Sequence, residues 1–312
     1  MSKYALWYFK PKWGNYGMFD TNKPASLREL GFDYMIALDT VGPGGKYGQM
    51  PRSGYSYDDG YKEGKELAQW IEHEVNPELL YLVEIPVLVK EDNAEWELFK
   101  KTYYKIPPDV RGLDYWKGWI DGVYTNTGEL EKGFYWNLEF PWQVVRGVVS
   151  ESAIKELSEK IMNWQQEFIW IPYAHGDINW ENTDIKTLDR YFTYIFAQPN
   201  YYQGKTQNLE DWFKSFKEFR DKYSLNNIYM EMECDGGVIS GKKIKEDDHY
   251  IYITADTLKE RACKYVQYAK NFPHRAYYFD TDVENLKTMN KFCRRNCHEK
   301  EYNCGDVNGY VF

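Results

Sequence analysis

The chain has 312 residues, 18% of them aromatic, and 39 basic against 48 acidic side chains give it a formal net charge of −9. This length suits one barrel-sized domain or two ordinary ones, and an acidic balance without a long basic cluster disfavours nucleic acids and polyanions as partners. No apolar run reaches transmembrane length, so we expect no membrane-spanning segment. The first residues lack the features of a signal peptide, which leaves two locations open: the cytoplasm, or secretion with the leader removed.

Eight short apolar runs alternate with amphipathic segments along the chain. Each run is largely apolar rather than strictly alternating, as expected of strands that are covered on both faces. The predicted strands are Tyr4–Phe9, Phe32–Leu38, Leu79–Val89, Gly133–Leu138, Phe168–Tyr173, Phe192–Ala197, Asn227–Glu233 and Arg275–Asp280.

Helical periodicity occupies most of the segments between these runs. Ser150 and Asn208 are predicted N-caps, and Thr257 with Glu260 has the spacing of a capping box. The predicted helices are Ser56–Val75, Asn93–Tyr103, Leu113–Val123, Ser150–Gln166, and three more that begin near Asn208, Thr257 and Thr281.

This alternation predicts an α/β fold, a single (β/α)8 TIM barrel over residues 1–312 with residues 294–312 as a C-terminal tail. An open doubly wound sheet is the alternative, but no glycine-rich phosphate turn follows the first strand. We expect long loops at Val41–Tyr55 and Cys234–Asp256. Both follow strands, and loops after strands lie on the face where barrel enzymes keep their active sites.

The five cysteines do not form a disulfide framework, because they are few and odd in number. Cys293 and Cys297 lie one helical turn apart and Cys304 follows, but the paired CxxC spacing of a zinc site is absent. A disulfide that involves Cys304 and a set of free thiols both remain open. We predict no metal and no organic cofactor.

Carboxylates stand at the ends of the fourth and seventh predicted strands. Glu139 follows Asn137 at the end of the fourth, and Glu231 and Glu233 share one face of the seventh. Glycosidic cleavage needs two carboxyl groups across a pocket, one to protonate the leaving oxygen and one to attack the anomeric carbon or activate water. We therefore predict Glu139 as acid/base and Glu233 as nucleophile, with Glu231 as an alternative or supporting group.

Other polar and aromatic residues near the strand ends are predicted to bind the substrate. Aromatic rings suit the flat apolar faces of sugars, and amides suit their hydroxyl groups. Core packing, a turn around Pro199 and a plain loop histidine are the structural alternatives for these residues. The predicted substrate-binding residues are Trp13, Asp39, Trp136, Asn137, Tyr173, His175, Gln198 and Asn200.

The two strand-end glutamates resemble those of the large retaining glycosidase clan that is built on this barrel. In that clan the strand-four glutamate is the acid/base and commonly follows an asparagine directly, and the strand-seven glutamate is the nucleophile. Here Leu138 separates Asn137 from Glu139, which departs from that pattern.

A second resemblance covers most of the chain. The segments FYWNLEFPW, FIWIPYAHG, YIFAQPNYY and MEMEC follow one another in this order. They are similar to a bacterial family of barrel proteins known as domain of unknown function 4855. The resemblance implies a glycosidase-like barrel, and the family itself names no substrate.

Together these observations predict a glycoside hydrolase, of the retaining type, that acts on an oligo- or polysaccharide. One alternative is a non-catalytic carbohydrate-binding barrel whose glutamates accept hydrogen bonds from sugar hydroxyls. A second is a metal-dependent hydrolase that uses His175, Asp177 and Asp280. The oligomeric state is not indicated by the sequence.

Overall fold

A computed structural model describes residues 2–10, 16–39, 54, 56–86, 108–246, 249–270 and 272–296. The predicted helix Asn93–Tyr103 and nearly all of the predicted loop Val41–Tyr55 lie outside these residues. That the whole chain forms one domain stays a prediction.

Eight parallel strands close into a barrel, which confirms the predicted (β/α)8 fold and excludes the open sheet. Consecutive strands pair from β1 to β7, and the last barrel strand, β10, pairs with both β7 and β1. The barrel strands are β1 (Ser2–Phe9), β2 (Tyr34–Asp39), β3 (Leu80–Ile85), β4 (Glu131–Trp136), β5 (Glu167–Trp170), β6 (Tyr194–Ala197), β7 (Ile228–Glu233) and β10 (His274–Tyr278).

Helices lie between the strands. The described helices are α1 (Pro24–Glu29), α2 (Tyr57–Trp70), α3 (Pro108–Tyr124), α4 (Glu151–Asn163), α5 (Ile185–Leu188), α6 (Leu209–Tyr223), α7 (Gly237–Ser240), α8 (Ala255–Ala269) and α9 (Glu284–Asn296). Ser150 and Asn208 cap α4 and α6 as predicted. The N-cap predicted for α8 was wrong. The observed N-cap is Thr254, whose side chain accepts a hydrogen bond from the Thr257 amide. Two threonines three residues apart both have the side chain of an N-cap, and the sequence does not distinguish them.

The predicted loop Cys234–Asp256 is in fact largely ordered. It holds the short helix α7 and an antiparallel hairpin of β8 (Lys242–Glu246) and β9 (His249–Ile253). Ile244 faces inward and is buried, whereas Tyr250 and Tyr252 are exposed. Along β9 the exposed tyrosines alternate with the half-buried Ile251 and Ile253, which is the usual signal of a half-buried strand.

Aromatic side chains fill the N-terminal end of the barrel. Tyr4 stacks on Tyr34 with 4.5 Å between ring centroids, and both phenols donate to the Glu167 carboxylate, at 2.9 and 3.3 Å. Because this end is occupied by packed side chains, a ligand site belongs at the opposite, C-terminal end.

A disulfide joins Cys263 of α8 to Cys293 of α9. Neither cysteine arrangement left open by the sequence included this pair, which is separated by 30 residues. Cys234 is a free, buried thiol, and Cys297 and Cys304 lie outside the described residues.

Helices α2 and α3 cross at glycines, so their backbones come into close contact. A Cβ added at Gly60 would lie 2.0 Å from the Tyr115 carbonyl oxygen, and one at Gly118 would lie 2.0 Å from that of Tyr57. The crossing seats two tryptophans of α3 against the end of β3. Trp119 donates to the Glu84 carbonyl at 2.8 Å, and Trp116 donates to that of Pro86 at 3.0 Å.

We predict that Gly118→Ala lowers the free energy of unfolding by about 2 kcal/mol or more, because the new methyl group meets backbone rather than a side chain that can move. Chemical denaturation of the purified variant measures the loss. Gly236→Ala is the matched control, since nothing lies within 4 Å of its added Cβ. Equal stability of the two variants would contradict the close helix contact.

Candidate active site

Glu139 lies just beyond the end of β4 and is half-buried. The Tyr135 phenol donates to its carboxylate at 2.8 Å, and the Tyr173 amide donates to its backbone oxygen at 3.0 Å. Burial raises the pKa of Glu139 above its usual range, although hydrogen bonds from Tyr135 and Gln198 act in the opposite direction. A half-buried carboxyl group that resists ionisation is suited to donate a proton.

Glu233, the last residue of β7, is only 1% exposed and is held at both oxygens. The Asn200 amide donates to one oxygen at 3.0 Å, and the Tyr265 phenol donates to the other at 2.7 Å. Asn200 adopts a left-handed conformation, with φ of 49°, which asparagine tolerates better than most residues. Burial raises the pKa of Glu233 to about 7, against the opposing effect of these two donors.

Glu231 lies two residues deeper on the same strand and is also buried. Its Oε1 atom is buried without a hydrogen-bond partner among the described residues. Burial and the charges of Glu233 and Glu139 raise its pKa well above the usual range. Because Glu231 interacts with both of the other glutamates, all three carboxyl groups belong to one electrostatic centre, and burial with two neighbouring carboxylates disfavours a charge on Glu231.

A second group of polar residues lies beside this centre, and of its members the sequence indicated only Asp280, as a candidate metal ligand. Asp235 forms an ion pair with Lys242 at 2.5 Å and accepts a hydrogen bond from the Tyr202 phenol at 2.8 Å. Lys242 begins β8 and lowers the pKa of Glu233. Asp280, with φ of 63°, has a pKa raised by burial and then by the charge of Asp235. The available signals were an aspartate two residues after β7 and the lysines of β8.

The structure brings several predicted residues to the barrel mouth, mainly as partners of the glutamates. Asn137 donates to Glu84 at 2.6 Å, and Glu84 is fully buried. Gln198 is buried, donates to the Ile171 carbonyl at 3.2 Å, and its hydrogen bond to Glu139 lowers the pKa of that glutamate. These amides therefore orient protein groups.

Tyr173 and His175 are half-buried beyond the end of β5, with 5.5 Å between their stacked rings. Burial, followed by the charge of Lys205, lowers the pKa of His175 to about 4, so this side chain is neutral at physiological pH.

Trp136 does not face the mouth. It is 1% exposed, packs 5.0 Å from Trp116 and donates to Gln143 at 2.8 Å, so no ring face is left for a sugar. Helix α3 covers the outward side of β4. The sequence pattern alone did not indicate that Trp136 lies on this covered side. Trp13 lies outside the described residues, and Asp39 is described only as the last residue of β2.

Within the described residues, no three His, Cys, Asp or Glu side chains are arranged to hold a metal ion. The set His175, Asp177 and Asp280 is thus not assembled as a metal centre. None of the described helices is both long and apolar enough to cross a membrane.

The closed parallel barrel, with glutamates that follow β4 and end β7, has a glycosidase-like architecture. A family model described as "Domain of unknown function (DUF4855)" matches residues 117–299. An uncharacterized protein of Methanocaldococcus jannaschii is 35% identical in a match that covers 91% of this chain and 89% of that protein. The chain therefore belongs to the DUF4855 family, as its motifs indicated.

Solved structures are similar to this chain at low sequence identity. A GH18 chitinase from Pseudoalteromonas aurantia is 9% identical with a TM-score of 0.50, over 94% of this chain and 99% of the chitinase. A xylanase and alpha-amylase inhibitor protein from Scadoxus multiflorus is 15% identical with a TM-score of 0.45, over 94% of this chain and 98% of the inhibitor. At 9% identity the similarity to the chitinase establishes the fold alone.

We predict that Tyr265→Phe raises the pKa of Glu233 above about 7, because the lost hydrogen bond favours the ionised carboxylate. Carboxyl-carbon NMR titration of glutamate-labelled protein measures this pKa, and the signal is assigned from Glu233→Gln. Tyr268→Phe, on the same helix, is the control and leaves the titration unchanged. A Glu233 pKa that stays constant or falls in Tyr265→Phe would refute this assignment of the donor.

Proposed function

We propose that the protein is a glycoside hydrolase that cleaves an oligo- or polysaccharide by a retaining mechanism. The observation that carries the proposal is the position of Glu139 just beyond β4 and of Glu231 and Glu233 on β7, at the C-terminal end of the barrel, where their charges act on one another. Two carboxyl groups from distant strands, in different hydrogen-bonding environments, are the minimal equipment for this reaction.

In the proposed mechanism Glu139 begins as the acid. Its raised pKa keeps a proton available for the leaving glycosidic oxygen. Glu233 attacks the anomeric carbon in its ionised form, which burial opposes and the hydrogen bonds from Tyr265 and Asn200 favour, as the bond to the leaving oxygen breaks. The product of this step is a covalent glycosyl-enzyme. Glu139, now a carboxylate, takes a proton from water, and the resulting hydroxide attacks the anomeric carbon and releases Glu233.

Glu231 supports this cycle by remaining protonated. A charge on Glu231 in the same buried site would oppose ionisation of Glu233, and the raised pKa of Glu231 avoids that repulsion. The mechanism requires no cofactor. The substrate is proposed to be carbohydrate, and the net charge of −9 argues against a nucleic acid.

A non-catalytic carbohydrate-binding barrel is the second candidate, and one observation favours it. Glu233 is 1% exposed and both of its oxygens already accept hydrogen bonds, as in a purely structural carboxylate. In that case sugars would bind at the mouth without turnover, and Glu139 would serve as a hydroxyl acceptor.

The test is hydrolysis of a glycan panel by the parent protein and by Glu139→Gln and Glu233→Gln. We expect each substitution to lower turnover of a cleaved glycan by about 10²- to 10⁴-fold, because each removes a group that acts in the transition state. Glu159→Gln, on the exposed surface of α4, is the control and keeps parental activity.

Two outcomes would contradict the proposal. If both site variants turn over the glycan as fast as the parent protein, neither Glu139 nor Glu233 is catalytic. Glycan binding at the mouth without any hydrolysis would favour the non-catalytic candidate.

A further inference from the structure

A groove of about 690 Å³ lies beside the barrel mouth, between the segment that follows β4 and the segment that follows β5. Trp142 and Arg146 line the first wall, and Asn179, Asn182 and Thr187 line the second. The volume falls in the range of small-ligand sites. The groove is separate from the three glutamates, none of which lines it.

Hydrogen bonds fix the two walls against each other. The Asp184 carboxylate accepts from the Val144 amide at 2.7 Å and from the Val145 amide at 3.1 Å, and the Asp184 amide donates to Pro141 at 2.8 Å. The groove is therefore a preformed feature that needs no loop closure to exist.

A series of half-buried rings connects the groove to the mouth. Trp142 lies 5.9 Å from Tyr173 and 5.6 Å from Phe140, measured between ring centroids. Tyr173 in turn donates its amide to the Glu139 backbone oxygen. Partly exposed rings in sequence suit successive sugar units, each of which presents an apolar face.

The polar lining offers mainly hydrogen-bond donors, because its acidic groups already have partners. Asp184 is held by the two amides above, and Glu181 is bound by Lys186 and Lys222. Arg146 is exposed and forms no ion pair with the described residues, and Asn182 is exposed beside it in the lining. Guanidinium and amide donors match the hydroxyl oxygens of a sugar unit.

We propose that this groove is an accessory subsite for a glycan chain that extends from the barrel mouth. The groove binds one sugar unit of that chain, and the sugar ring packs on Trp142. The inference rests on the proposed function for the direction of the chain. It adds that the substrate is a chain several units long rather than a disaccharide.

The experiment measures binding by calorimetry, with N-acetylglucosamine oligomers and cello-oligosaccharides of two to six units as probes. The Glu139→Gln background prevents cleavage during the titration. We expect affinity to increase with length for one probe series, and Trp142→Ala to weaken binding of the hexamer about tenfold while the dimer changes less than twofold. Trp142→Phe retains part of the gain.

Trp164→Ala is the matched control, because Trp164 is also half-buried but lies at the C-terminal end of α4, where its ring stacks on Tyr124. It should leave the length dependence intact. Equal weakening of dimer and hexamer by Trp142→Ala, no effect on either, or no binding of any probe by the protein would overturn the subsite.

These results are distinguishable from failure of the proposed function. If binding depends on chain length and requires Trp142 but the parent protein cleaves none of the glycans, the subsite proposal is supported and the hydrolase proposal is refuted. If the parent and Trp142→Ala cleave glycans with the same dependence on chain length, only the subsite proposal is refuted.

Discussion

Repulsion among buried carboxyl groups is the constraint on which the barrel mouth depends. Glu231 and Glu233 are almost fully buried on one strand, and the charge of Glu139 also acts on Glu231. Ionisation of all three would be strongly unfavourable at low local dielectric. The structure relieves this by unequal hydrogen bonding: Glu233 has two donors, Glu139 has Tyr135 and Gln198, and Glu231 leaves one oxygen without a partner. A site of this kind holds one proton more firmly than the next, which is the property that acid/base chemistry uses.

The layer outside the barrel supplies much of this arrangement. Tyr265 reaches Glu233 from α8, and α8 is cross-linked to α9 by the disulfide between Cys263 and Cys293. Lys242 reaches the mouth from the hairpin after β7. On the other side, the glycine crossing of α2 and α3 seats Trp119 on the Glu84 carbonyl, and the Glu84 side chain accepts from Asn137. Mutations far from the mouth are therefore expected to act on its electrostatics through these contacts.

The barrel was predictable because each strand run is largely apolar and most of the runs are followed by a helical period, a repetition that few other folds produce. The position of the glutamates at the strand ends was predictable because a carboxylate at the end of an apolar strand is costly without a use, and their catalytic role stays a prediction. Tyr265 was not, since a tyrosine on an amphipathic helix looks the same whether its phenol meets solvent or Glu233. Trp136 was misassigned because an aromatic residue near a strand end gives no indication of the covering helix. Cys263 and Cys293 pair only through the tertiary packing of two helices, which local patterns do not specify.

The central claim is that Glu139 and Glu233 act on opposite sides of one glycosidic bond. The most direct measurement is a crystal structure of the Glu139→Gln variant with an oligosaccharide that the parent protein cleaves. The account predicts a glycosidic oxygen within about 3 Å of the side chain at position 139. It also predicts that the Glu233 carboxylate faces the anomeric carbon on the other side. A sugar bound outside the barrel mouth, or a Glu233 carboxylate that remains enclosed by Tyr265 and Asn200 away from the bound sugar, would contradict it.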